Sequence, residues 1–289
     1  MDGSKKIKIT SGKYTFQIID NTLFSRDKTE IYSRNFKIGG TYPDCVNVSV
    51  IYENNKPVEA TIPFLLGDPE CSLDIPLEKG VGAIIMIKTL LDYVYKQLPT
   101  LTHIKFDDKS SIECANEEEI KNGSYVKHMP LYYFSIVFNG QTWYEKYFNA
   151  KQKDQVLHQR YRTRVNDFLY SSEFKTNMEF DRFVSLFDKR EDEMSELYQY
   201  YDNANNFNDF FQSIPKQDRC RLVGSWIEQF MKFILKDVFY NENWIIQLPI
   251  AMSGGIPNKN KKTRKYYCPK GIIRNTFTSK NICIFPEDI

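Results

Sequence analysis

The chain has little that would tie it to a metal or a membrane. Only three histidines are present, and no two of the six cysteines (Cys45, Cys71, Cys114, Cys220, Cys268, Cys283) form a Cys-x-x-Cys pair. Zinc knuckles and ribbons need closely spaced ligands, so this spacing argues against them. Scattered cysteines of this kind read as buried, reduced thiols in a cytosolic-type compartment. The longest apolar runs, such as LYYFSIVF (131–138), are far short of the roughly 20 residues that span a bilayer. The first residues, MDGSKKIKIT, lack the apolar core of a secretory leader, so secretion is not expected. Neither charge sign dominates: 39 basic residues face 37 acidic ones, so any electrostatic function must come from local clustering.

What the chain does have is aromatic mass. With 21 Phe and 19 Tyr in 289 residues, it is unlike a disordered chain and long enough for two domains. The surplus of Phe, Tyr, Asn, Lys and Ile fits an AT-rich coding genome.

The first half reads mainly as strands. KYTFQIID (13–20) is β-rich, and CVNVSVIY (45–52) places Val46, Val48 and Val50 on one face. After the turn ENNKP, the run 58–66 reads as its hairpin partner, and CSLDIPL (71–77) as a third strand. Residues 82–97 carry an apolar stripe at helical spacing, closed by Pro99. THIKFDD (102–108) reads as a short strand, with 110–115 returning beside it. LYYFSIVF reads as a buried strand turned by Asn139-Gly140, and 141–150 as a helix. Beyond residue 150 the pattern is helical: 155–169, 180–187, and a long amphipathic helix from Leu222 to about Val238. A strand follows at 244–250. The boundary is drawn near residue 150, giving an α/β part (1–150) and a mostly helical extension (151–289).

The stretch LEKGVGAIIM (77–86) sets two glycines between a short apolar run and an apolar helix. Glycines let a backbone approach phosphates, and a helix N-terminus offers unpaired N–H donors. The stretch lacks the ending of a Walker loop and the third glycine of a dinucleotide fingerprint. Strands, glycine turn and helix, followed by LYYFSIVF, Asn139 and a tyrosine-bearing helix, resemble the GNAT acyltransferase fold. The resemblance implies an α/β (α+β) architecture with a mixed, mostly antiparallel sheet flanked by helices. It implies acetyl-CoA as cofactor, with its pyrophosphate held by Lys79, Gly80, Val81, Gly82 and Ala83, and Asn139 at the end of the later strand. Tyr144 or Tyr147 would protonate the leaving thiolate, and Glu113 or Asp108 would help deprotonate an amine acceptor. The first motif position, usually Gln or Arg, is Leu77 here, and acidic Glu78 follows it.

A second resemblance covers about half of the chain. FDDKSSIEC (106–114) with PLYYFSIVFNGQTWYEKYFNAK (130–151) is similar to uncharacterised proteins of nucleocytoplasmic large DNA viruses. It implies a location in host cytoplasm or virion. It leaves two functions open: an N-acetyltransferase, or a non-catalytic viral structural or scaffold protein.

Three further patterns carry chemistry. Asp107, Asp108 and Glu113 lie close in sequence, as a cation or base site would require, or as a hairpin turn would. Cys114 with His103 or His128 has the composition of a nucleophile and base. HQRYRTR (158–164) puts Arg160 and Arg164 on one helix face with Tyr161 opposite, either a phosphate-contacting stripe or a solvated face. Finally, residues 259–274 hold seven basic residues and no acidic one, with Tyr266 and Tyr267 among them. Such a segment suits a nucleic acid or a viral protein partner.

Overall fold

The computed structural model describes residues 3–250 except 28, 66–67, 79, 115–126, 186–190 and 225. Its contacts cluster into two compact units. One comprises the chain up to Thr102 together with the stretch from Leu248; the other runs from His103 to Gln247. The expected boundary at 150 falls inside the second unit. The fold is mixed α/β, with antiparallel strand pairing in both units.

Among the described residues, the first unit is a five-stranded antiparallel meander packed on one helix. Its strands are β1 (Gly3–Ser11), β2 (Tyr14–Phe24), β3 (Ile31–Gly39), β4 (Val46–Glu53) and β5 (Lys56–Leu65), hydrogen-bonded in that order. Alternation sets the faces: Phe16, Ile18, Phe36, Ile38, Val46, Val48 and Val50 are fully buried, whereas intervening residues are more exposed. The β4–β5 turn needs two left-handed residues, and Asn54 (φ 51°) and Asn55 (φ 59°) supply them. Helix α1 (Val81–Gln97) buries Met86, Ile87, Leu90, Leu91 and Val94, four of them without any exposure. Asp20, on β2, is the one buried carboxylate on this face among the described residues. Arg34 grips it with Nε and Nη2 at 2.8 and 2.6 Å, and the Tyr93 hydroxyl of α1 donates to it at 3.1 Å. Burial, and then the Asp20 charge, push the Tyr93 hydroxyl up to about 12.

The stretch 71–77 is not a strand. A short 3₁₀ turn (Pro69–Cys71), capped by the Asp68 side chain, leads into bends. Cys71 is bonded to Cys45, and the chain passes directly over Gly40, where a Cβ would lie 2.3 Å from the Ser72 carbonyl carbon. Cross-linking and close backbone approach place this segment, not a ladder.

The second unit begins with β6 (His103–Phe106), then β7 (Ser111–Cys114) and β8 (Lys127–Pro130). Residues 111–114 pair with β8, not with β6 as expected. Next come α2 (Leu131–Asn139), α3 (Trp143–Phe148), β9 (Lys151–Gln152), α4 (Gln155–Tyr170), α5 (Ser172–Asn177) and α6 (Phe180–Val184). The chain continues with α7 (Glu191–Asp202), α8 (Phe207–Ser213), α9 (Arg219–Val223), α10 (Ile227–Ile234) and β10 (Trp244–Gln247). Strand β10 lies between β6 and β9. The helical core is aromatic: Phe168, Phe183, Phe207, Phe210, Phe211, Trp226 and Phe230 are all essentially inaccessible. Each such ring contributes about 1.5–3 kcal/mol by burial.

The run LYYFSIVF is a helix, contrary to the strand expected. A continuous apolar run of this length fits a buried helix as well as a strand. Here the flanks decide: Pro130 precedes the first turn, and Gly140 (φ 71°) returns its N–H to the Ile136 carbonyl at 2.8 Å. The long helix expected from Leu222 is also broken, into α9 and α10. At Gly224 a Cβ would meet the Cys114 Sγ at 3.1 Å. Cys114 and Cys220 form a second disulfide, so the four described cysteines are paired, not reduced as expected. Cys268 and Cys283 lie outside the described residues. No described helix is long and apolar enough to cross a membrane.

Candidate anion-binding groove

Helix α4 starts where the Asp154 carboxylate accepts the Leu157 N–H at 3.0 Å. Its inner face, Tyr161, Val165, Phe168 and Leu169, is wholly buried. The inner polar atoms are satisfied. The Tyr161 hydroxyl donates to Glu145 Oε2 at 2.8 Å, and Arg162 donates to the Gly140 carbonyl at 2.7 Å and to Glu145 at 3.4 Å. Glu145 also closes a capping box with Thr142 at the start of α3. Burial raises the Glu145 carboxyl above the usual range, while the Thr142 N–H, Tyr161 and Arg162 pull it back. His158 accepts the Gln152 N–H on Nδ1 at 3.4 Å, and burial, with Arg162 and Lys151 nearby, brings its imidazole down to about 4. The ring is therefore neutral at pH 7.

The outer face of the same helix lines a shallow groove of about 570 Å³, in which Gln159, Arg160, Thr163, Arg164 and Asp167 face Val238. Arg164 is anchored: its Nη1 donates at 3.0 Å to the carbonyl of Ile234, the last residue of α10, where helix carbonyls lack partners. Arg160 is exposed and makes no ion pair among the described residues. One fixed and one available guanidinium thus flank a depression, mounted on a helix whose other face is locked into the core. Guanidinium groups take phosphate oxygens in a planar, two-pronged geometry. This bears out the expected arrangement of Arg160 and Arg164 on one face with Tyr161 opposite.

No family model, curated protein or solved structure matches the chain.

The residues expected to perform acyl transfer divide between the units. In the first, Gly80 (φ 73°) precedes α1, with open space around the position of a Cβ and no side chain capping the helix. Gly82 has a packing reason: a Cβ there would lie 2.8 Å from Leu77 Cγ. Its N–H is given to the Glu78 carbonyl at 3.0 Å. Val81 is exposed, Ala83 is buried, and Lys79 lies outside the described residues. The Glu78 carboxylate pairs with Lys13, which holds it below its ordinary value.

In the second unit, Asp108 and Tyr144 share one buried neighbourhood. Asp108 is 3% exposed, accepts the Ser110 N–H at 3.1 Å and the Ser110 hydroxyl, and is raised by burial. Tyr144 packs its ring 4.4 Å from Phe106, and burial, then the Asp108 charge, push its hydroxyl up. Neither lines the groove. Asp107 is exposed while Asp108 is buried, so the adjacent carboxylates do not converge. Tyr147 is half-buried against Trp143. Asn139 is the exposed last residue of a helix and does not end a strand, so the expected strand–Asn–helix order is corrected. Glu113 pairs with His128 in the β7–β8 hairpin through the backbone; its side chain lies outside the described ones. Cys114 is disulfide-bonded and cannot serve as the nucleophile considered for it. Residues 259–274 also lie outside the described residues.

Proposed function

We propose that the chain is a non-catalytic binding protein whose helical part engages the phosphate backbone of a nucleic acid. The observation that carries this reading is the Arg160 guanidinium, exposed and in no ion pair among the described residues, beside the anchored Arg164. The basic run 259–274, with its seven cationic side chains, adds sequence-independent attraction. A viral structural or scaffold role, as the resemblance to large-DNA-virus proteins implies, is compatible with it.

Fluorescence anisotropy with a labelled single-stranded oligonucleotide over a salt series tests this. Affinity should fall with salt, with a log–log slope of about −0.7 per phosphate engaged. Arg160→Glu should weaken binding at every salt concentration and lower the slope. Unchanged affinity in Arg160→Glu, or no binding at low salt, sinks the reading.

Acyl transfer from acetyl-CoA to an amine, on a GNAT-like fold, is the second reading. One observation favours it: the uncapped start of α1 beside Gly80, with open space around it. Calorimetric titration with acetyl-CoA decides it, and absence of saturable heat removes it.

A further inference from the structure

The two disulfides differ in setting. Cys45 and Cys71 are both fully buried and fix the 3₁₀ turn to the start of β4. Cys114 and Cys220 are both partly exposed. They join the last residue of the four-residue strand β7 to the five-residue helix α9. Gly224 is the matching local feature, because a Cβ there would press on Cys114 Cβ and Sγ at 3.0 and 3.1 Å. Both joined elements have other attachments. Leu222 and Val223 of α9 are inaccessible, and the Trp226 indole N–H donates to the Leu222 carbonyl at 2.6 Å. Strand β7 is paired along its length with β8, and the Ser110 carbonyl accepts the Leu131 N–H at 2.9 Å. Opening this bond would therefore loosen a junction while leaving the core packed.

We infer that Cys114–Cys220 is a redox-responsive latch, opened by a dithiol reductant in the folded protein, while Cys45–Cys71 stays closed. A thiolate of the reductant attacks one of the two sulfurs. The S–S bond breaks, the other cysteine leaves as a thiolate and takes a proton, and a mixed disulfide forms. The second thiol of the reductant then displaces the remaining cysteine, leaving two protein thiols and one oxidised, cyclic reductant. Solvent access to the sulfur governs the rate, which is why the partly exposed bond yields first.

The experiment treats the folded 289-residue chain with increasing dithiothreitol, traps thiols with iodoacetamide and maps them by peptide mass spectrometry. Cys114 and Cys220 should become labelled at concentrations that leave Cys45 and Cys71 unlabelled, with the far-ultraviolet circular dichroism unchanged. Hydrogen exchange should then quicken in 111–114, 127–130 and 219–224 relative to α1. Labelling of Cys45, Cys71, Cys114 and Cys220 together, labelling of Cys45 and Cys71 first, or resistance of Cys114–Cys220 short of unfolding would overturn the inference. Unchanged exchange in the hairpin after reduction would do the same. The Cys114→Ser/Cys220→Ser chain should reproduce the reduced exchange pattern; if it does not fold, the bond is a structural staple and the latch is rejected.

Discussion

Replacing Arg34 by Met isolates Asp20, a buried carboxylate that faces α1. Asp20 is 4% exposed and the Arg34 side chain 20%. Two charge-assisted hydrogen bonds at 2.8 and 2.6 Å join them. Removing one partner of a fully buried pair costs about 3–5 kcal/mol, because the remaining charge is stranded in a low-dielectric site. Residual exposure of Arg34 admits water, and the Tyr93 hydroxyl remains as a donor to Asp20, so a loss of ~2–4 kcal/mol is expected here. The guanidinium also lies 4.8 Å from the centre of the Phe36 ring, a contact worth about 0.5–1 kcal/mol that Met replaces only in part. In urea this corresponds to a midpoint lowered by about 1–2 M. The second arm is Asp20→Asn in the Arg34→Met background. It removes the stranded charge yet keeps an acceptor for Tyr93, and should recover most of the loss. Urea denaturation followed by circular dichroism measures both. A single-variant cost below ~1 kcal/mol, or no recovery in the double variant, would refute the claim that a desolvated charge pair clamps this sheet.

Two further outcomes follow from the same geometry. Gly80→Ala should cost about 1–2 kcal/mol in urea denaturation, because an L side chain is forced to positive φ; unchanged stability would mean that the turn does not require this glycine. His158 titrates near 4 when folded, against about 6.5 unfolded. Below the unfolded value the unfolded chain binds the proton more readily, so this contribution is complete above about pH 6.5 and is lost as pH falls towards 4. Asp108 and Glu145, raised by burial, act in the opposite sense. The check is therefore the difference between wild type and His158→Gln, which should shrink across that window; a constant difference would show that the ring is not held neutral.

Where local pattern and final structure agree, the cause is a face repeated along one segment. The alternation through Val46, Val48 and Val50 and the Asn54–Asn55 turn gave the β4–β5 hairpin. The stripe from Met86 to Val94 gave α1, and the spacing of Tyr161, Val165 and Phe168 gave α4 with its outward arginines. Periodicity reports which side of an element is buried, and here that was enough. The helix over 131–139 was hidden because an all-apolar run has no period to read. The signal present was at its ends, Pro130 and Gly140.

The sequence by itself determined β2, the β4–β5 hairpin, α1, α4 and the two-arginine face, since each rests on neighbours within a turn or two of the chain. The tertiary structure decided the rest. It paired Cys45 with Cys71 and Cys114 with Cys220, and ended α9 at Val223 before α10 begins at Ile227. It also separated Asp107 from Asp108 by burial and left Arg160 outside the ion pairs of the described residues. Each of these depends on atoms brought together from distant parts of the chain, and no local spacing encodes which distant atoms those will be.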